Sequence, residues 1–198
     1  MPDDKPLRIL VASAVYGVEH LLDQVFSTLE GYGYEVWMSH KGTIPTDPRL
    51  SNFENCLLAV DASDLFLGII TGRYGSGQDA RRPSILHQEV RRAIEKNKLR
   101  WFLAHHNVTV ARQLLKQFRF RSDGMKRRCR FEPTAVLEDL RILDMYDEAI
   151  LQDVPLSRRR AHWAQPFFTD EDALRFLKST FSDIARARKI VAEEEANA

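Results

Sequence analysis

"DLFLGIITGRYGSG", residues 64–77, decides the fold. Residues 65–71 are almost wholly apolar and rich in branched side chains, which suits a central strand of a parallel sheet, covered on both faces. The chain then leaves through Gly72, Gly75 and Gly77, with Arg73 and Tyr74 among them. Glycine permits positive φ and lets a backbone approach a ligand closely. Arg73 has the charge to pair with a phosphate, and Tyr74 has the ring to stack on a base or cover a ribose. The loop has neither Walker nor Rossmann spacing. A tight turn with Arg73 in a structural ion pair would use the same residues.

Working outward, strand and helix alternate. Residues 7–12 form a short apolar run of strand type. Val18, Leu21, Leu22, Val25, Phe26 and Leu29 follow at the spacing of one helix face, stopped by Gly31 and Gly33. Residues 34–38 make a second strand, and the proline-bearing stretch 39–50 a loop. Ser51 and Glu54 form a capping box ahead of Phe53, Cys56, Leu57 and Val60. After the central strand, Ser84 opens a helix over 84–96; residues 100–104 read as strand and 108–118 as helix. Such alternation predicts an α/β fold: a flavodoxin-like parallel sheet of four or five strands with helices on both faces.

Beyond residue 118 the pattern changes. Residues 119–130 carry six basic side chains and one aspartate. Helices are expected near 134–150 and 170–187, with residues 155–166, including Arg158, Arg159 and Arg160, between them. The expected organisation is an α/β domain over 1–118 and a helical extension over 119–198, packed on it or mediating assembly.

Bulk composition narrows the function. The chain has 198 residues, 44% of them hydrophobic, enough for one domain with a real core. Its 29 basic residues against 28 acidic ones give no global case for nucleic acid or an acidic membrane. Cys56 and Cys129 stand in unrelated contexts, so no disulfide framework or metal spacing follows. With no signal-peptide core and no apolar run near membrane-spanning length, a soluble cytoplasmic protein is expected.

Open α/β sheets bind ligands beyond the carboxyl ends of their strands. Three pieces of this chain fall there: Ser13 to Tyr16, Gly72 to Gly77, and the helix that begins at Ser84. On that helix the inward stripe is Leu86, Val90, Ala93 and Ile94, and Glu89 lies on or beside it. A glutamate in a partly apolar pocket has a raised pKa. It can stabilise or trap an oxocarbenium-like transition state, as in breaking a sugar–base bond. The same position also fits a boundary glutamate paired with Arg92, Arg73 or Arg82. His87 is either a proton donor or, more commonly in a first helical turn, a surface residue. His105 and His106 are adjacent on a strand and point to opposite faces, so no metal is expected. Phe118, Phe120 and Phe131 interleave with the basic segment, in the manner of a nucleic-acid platform or of a solvated partner surface.

These stretches carry a resemblance. Ser13 to Tyr16, "FENCLLAVDASDLFLGIITGRYG" at 53–75 and "SILHQEVRRA" at 84–93 resemble a bacterial family of unknown-function domains. That family is related to Toll/interleukin-receptor (TIR) domains and to nucleoside deoxyribosyltransferases. The match runs from Arg8 to about Leu103. It implies a flavodoxin-like sheet and a cleft at the strand ends. TIR relatives cleave NAD at the nicotinamide–ribose bond, through a glutamate at the place of Glu89; many act in defence against phage after oligomerising. Ser84 matches the serine that often opens the helix. Four positions depart: Ala14 replaces a second serine, Leu86 and His87 replace a threonine and an acid, and Pro83 stands where the transferases have an aspartate. The last argues against transferase chemistry.

The resulting expectation is a TIR-like NAD glycohydrolase with Glu89 as its catalytic residue. Ser13, Tyr16, Gly72, Arg73, Tyr74, Gly75 and Ser84 form the substrate-binding set. Arg73 would hold the pyrophosphate beside the loop amides, Tyr74 would pack on ribose or base, and Tyr16 would line the opposite wall. NAD is a substrate, and no cofactor or metal is expected. The chain is expected to bind NAD or a related nucleotide and to form homo-oligomers, without membrane or nucleic-acid partners. The rival is an inactive TIR-like module that binds a nucleotide or another protein.

Overall fold

The apolar run at the centre forms a strand as its composition requires, and every residue of Leu65–Ile70 is buried. The computed structural model describes residues 5–77, 82–127 and 129–197. In chain order the first elements are β1 (Arg8–Ser13), α1 (Glu19–Gly31), β2 (Glu35–Trp37), α2 (Asn52–Ala62) and β3 (Leu65–Ile70). Then come α3 (Ile85–Glu95), β4 (Leu99–His105), α4 (His106–Leu114) and α5 (Lys116–Arg119). The chain ends with α6 (Arg141–Ala149), β5 (Ala164–Phe167), α7 (Asp170–Phe181) and α8 (Ile184–Asn197).

All five strands are parallel, in the order β2-β1-β3-β4-β5. This is the flavodoxin-like order, and the chain changes its direction of travel across the sheet between β1 and β3. Side chains alternate across the sheet. Phe66, Ile70 and Phe102 face α2, α3, α4 and α6. Leu65, Leu67, Ile69 and Leu103 face α1, α7 and α8. Two apolar layers therefore sandwich the sheet, which explains why β3 shows no polar alternation.

Local signals place the helices. The Ser51–Glu54 capping box is present in both directions, at 3.2 and 2.8 Å. Ser84 caps α3, accepting from the His87 N–H at 3.3 Å. A second box, Thr169 with Asp172, opens α7. The helix expected over 170–187 is two helices, separated at residues 182–183. The helix expected from 134 starts only at Arg141, because the preceding residues bond to the loop after β3.

The fifth strand comes from the segment with no expected strand. Residues 164–167 pair with β4 in parallel register, Phe102 to Ala164 through His105 to Phe167. Pro166 cannot donate to a ladder, which argues against a central strand, but β5 is an edge. Residues beyond 118 thus supply one sheet edge and helices on both faces.

Gly68 interrupts the branched residues of β3 for a packing reason. A Cβ there would lie 2.7 Å from Phe102 Cδ1 and 2.9 Å from its Cε1, and Phe102 is fully buried. Gly68→Ala should therefore destabilise the fold by about 1–3 kcal/mol in urea unfolding, the usual cost of overpacking. Adding Phe102→Leu should recover part of the loss; an unchanged midpoint for Gly68→Ala would contradict this packing.

Candidate active site

β1 and β3 end side by side where the strand order turns, the usual place for a ligand in such a sheet. A cavity of about 890 Å³ lies there. The exit of β1 contributes Ser13 and Tyr16, and the exit of β3 contributes Arg73 and Gly75. α2 adds Asn55 and Cys56, and α3 adds Leu86 and Glu89.

α3 buries Leu86, Val90 and Ala93 against the sheet, and Glu89 turns with this stripe. It is only 5% exposed. Burial pushes its carboxyl up to about 7, and a hydrogen bond from the Cys56 thiol opposes this only in part. Burial, with the charge of Glu89 nearby, pushes that thiol up to about 12, so Cys56 stays a neutral donor. The cations expected to neutralise Glu89 are engaged elsewhere. Arg92 binds Asp61 through two bonds of 2.8 Å and also reaches Glu95 at 3.2 Å. The Arg73 guanidinium lies over the Tyr16 ring, 5.1 Å from its centroid. Among the described residues, no ion pair involving Glu89 is present.

The expected binding set divides. Ser13, Tyr16, Arg73 and Gly75 line the cavity with Glu89. Gly75 adopts φ +80°, and a Cβ on it would touch Ala14 at 3.4 Å. Three others lie off the cavity wall. Tyr74 is buried, and its hydroxyl sits 2.8 Å from His87 Nδ1. Arg141 covers the Tyr74 ring, 4.3 Å from its centroid. Gly72 makes room for protein, not ligand: a Cβ there would lie 2.1 Å from the Val136 carbonyl oxygen. Ser84 is fully buried as the cap of α3.

His87 is likewise no surface residue, being 2% exposed. Its Nε2 lies 3.1 Å from Glu148 Oε2, and Arg91 holds both oxygens of Glu148 at 2.8 and 2.7 Å. Burial would raise the Glu148 carboxyl, yet Arg91 and His87 together hold it down at about 2. This chain joins the loop after β3 to α6. Its acid lies 61 residues from His87, so no local pattern announces it.

Outside the cavity, His105 packs on Phe167 and His106 on Phe168, at the far edge of the sheet. No cluster of three or more metal-ligating side chains occurs among the described residues. The basic segment is drawn onto acids: Arg119 binds Asp144 and Asp147 at 2.7 and 3.0 Å, and Lys126 binds Asp144 at 2.9 Å. Arg128 lies outside the described residues. No described helix is long and apolar enough to cross a membrane.

Several cavity residues, Asn55 and Glu138 among them, had no signal in the sequence. Glu138 enters from the segment before α6, and its Oε2 accepts the Tyr74 N–H at 2.8 Å.

Residues 8–147 match the model of a domain of unknown function, DUF4062. The chain belongs to that family. The match continues beyond residue 103, through the basic segment and into α6, so the DUF4062 domain includes Glu138. No curated protein matches it significantly. Among solved structures it is similar to a 2-deoxyribosyltransferase from the psychrotolerant bacterium Bacillus psychrosaccharolyticus. The TM-score is 0.38 at 15% identity, over 81% of this chain and 99% of that one.

Glu89 makes the stability of the DUF4062 domain depend on pH. Its native pKa of about 7 lies above the ordinary glutamate value of 4.5, so the folded state binds the extra proton between them. Stability linked to this group is therefore greatest in acid and falls as pH rises through that window. Glu89→Gln should gain on wild type by up to about 3 kcal/mol between about pH 4.5 and pH 8. Urea unfolding at both pH values measures it; a gap that does not change with pH would contradict the buried, uncompensated carboxyl.

Proposed function

We propose that this DUF4062 domain is an N-glycosidase acting on a nucleotide: a TIR-like NAD glycohydrolase with Glu89 as its catalytic carboxylate. The supporting observation is Glu89 itself, 5% exposed, with a pKa of about 7, on the wall of the cavity between the exits of β1 and β3. As the nicotinamide–ribose bond breaks, positive charge moves from the pyridinium ring to the anomeric carbon. An ionised carboxylate in a low-dielectric wall stabilises that charge far more than water does. Nicotinamide departs neutral, so no acid need protonate it. Water then adds at the anomeric carbon and loses one proton, giving ADP-ribose.

The remaining roles follow from position. Arg73, stacked on Tyr16 at the mouth, binds the pyrophosphate. Tyr16 is 71% exposed and forms the outer wall for ribose or base. Ser13 and the Gly75 backbone border the sugar. Tyr74 supports the loop from behind and does not touch substrate. NAD is consumed as substrate, and the chemistry requires no cofactor or metal. Homo-oligomeric assembly and a role in antiviral defence extend this reading.

The rival, a binding module without catalysis, draws support from His87: it stands where relatives carry an acid, and here it bonds to Tyr74 and Glu148. Nicotinamide release by concentrated full-length protein separates the two. Wild type should turn NAD over, and Glu89→Gln should lose about 10²–10⁴-fold. The value of kcat/KM should rise with pH through about 7, as Glu89 ionises. Equal inactivity of both proteins under every oligomerising condition would overturn the enzyme reading.

A further inference from the structure

A second carboxylate, the exposed Glu138, borders the cavity with one oxygen outside any protein hydrogen bond among the described residues. Glu138 reaches the cavity from a segment fixed on both sides. Its own N–H donates to the Gly72 carbonyl at 2.8 Å. The neighbouring Leu137 is 2% exposed, and its N–H donates to Thr134 Oγ1 at 3.0 Å. Side-chain freedom is limited as well, because Oε2 accepts the Tyr74 N–H at 2.8 Å. Among the described residues, Oε1 takes no hydrogen bond. One oxygen anchors the group, and the other remains to accept.

A carboxylate only accepts, so its ligand must donate. On a nucleotide whose anomeric carbon lies at Glu89, the 2′- and 3′-hydroxyls of the same sugar are donors of that kind. An oxygen with two lone pairs can accept from both members of a cis-diol. We infer that Glu138 is a second substrate-contacting residue, whose Oε1 accepts the ribose cis-diol and selects ribosides over 2′-deoxyribosides. The inference rests on the glycosidase reading for its choice of sugar. It goes beyond that reading in assigning specificity to a residue outside the β3–α3 region.

The test compares NAD with its analogue lacking the 2′-hydroxyl of the nicotinamide ribose. Wild type should prefer NAD, and Glu138→Gln and Glu138→Ala should lower the ratio of the two kcat/KM values by about tenfold or more. A purely structural role, through the Tyr74 N–H, would slow both substrates alike and leave the ratio unchanged; that result overturns the inference. A binding arm keeps the two ideas separable. Calorimetry of ADP-ribose and its matching 2′-deoxy form, on Glu89→Gln protein with and without Glu138→Gln, reads the same preference without turnover. Lost discrimination in a protein that never cleaves NAD upholds Glu138 and overturns the glycohydrolase. Turnover with undiminished discrimination does the reverse. Binding of neither ligand overturns Glu138 as well.

Discussion

The contact between Gly72 and residues 136–138 holds the two halves of the chain together at the rim of the cavity. It depends on there being no side chain at Gly72, since a Cβ would lie 2.1 Å from the Val136 carbonyl oxygen. The approach permits one backbone bond, Glu138 N–H to Gly72 carbonyl, and one side-chain bond, Tyr74 N–H to Glu138. Tyr74 is then turned inward, where it meets His87 and lies under Arg141. Beside it, α6 settles on α3 with Ile142, Leu143, Met145 and Tyr146 in the core. A loop that looks built for a ligand is in this part built for the chain's own C-terminal segment.

Electrostatics at the site reflect a division of partners. Cations near α3 are matched with acids that are not Glu89: Arg92 with Asp61 and Glu95, Arg91 with Glu148. Glu148 is buried in part, yet two donors keep it ionised. Glu89, more deeply buried, has a weak thiol donor and a pKa near neutrality. The two glutamates lie on elements that pack together, and their environments push them in opposite directions. The destabilisation that Glu89 causes is offset by Leu86, Val90 and Ala93 on the same helix.

The basic segment illustrates a different principle. Its charge density suggests a polyanion partner when read alone. In the fold, α6 carries Asp144 and Asp147 toward it, and Arg119 becomes a nearly buried member of that pair. A buried guanidinium with two carboxylates docks the segment onto the domain. Removing one partner of such a network leaves a nearly buried charge unpaired, which is strongly destabilising.

Periodicity by itself determined the parallel α/β sheet, the helix caps at Ser51 and Ser84, and the place of Glu89 beside the inward stripe of α3. These are local properties: side-chain period, capping hydrogen bonds and glycine content act within a few residues. Tertiary structure alone decided what those residues face. Gly72 and the Tyr74 N–H turned to Val136 and Glu138, each 64 residues further along the chain, and the Tyr74 hydroxyl to His87, 13 residues on. Residues 164–167 became a strand because the edge of β4 tolerates Pro166. Glu138 joined the cavity only through the contact at Gly72. A short pattern records which faces are apolar, whereas pairing across the fold depends on distances that close only once the sheet has assembled.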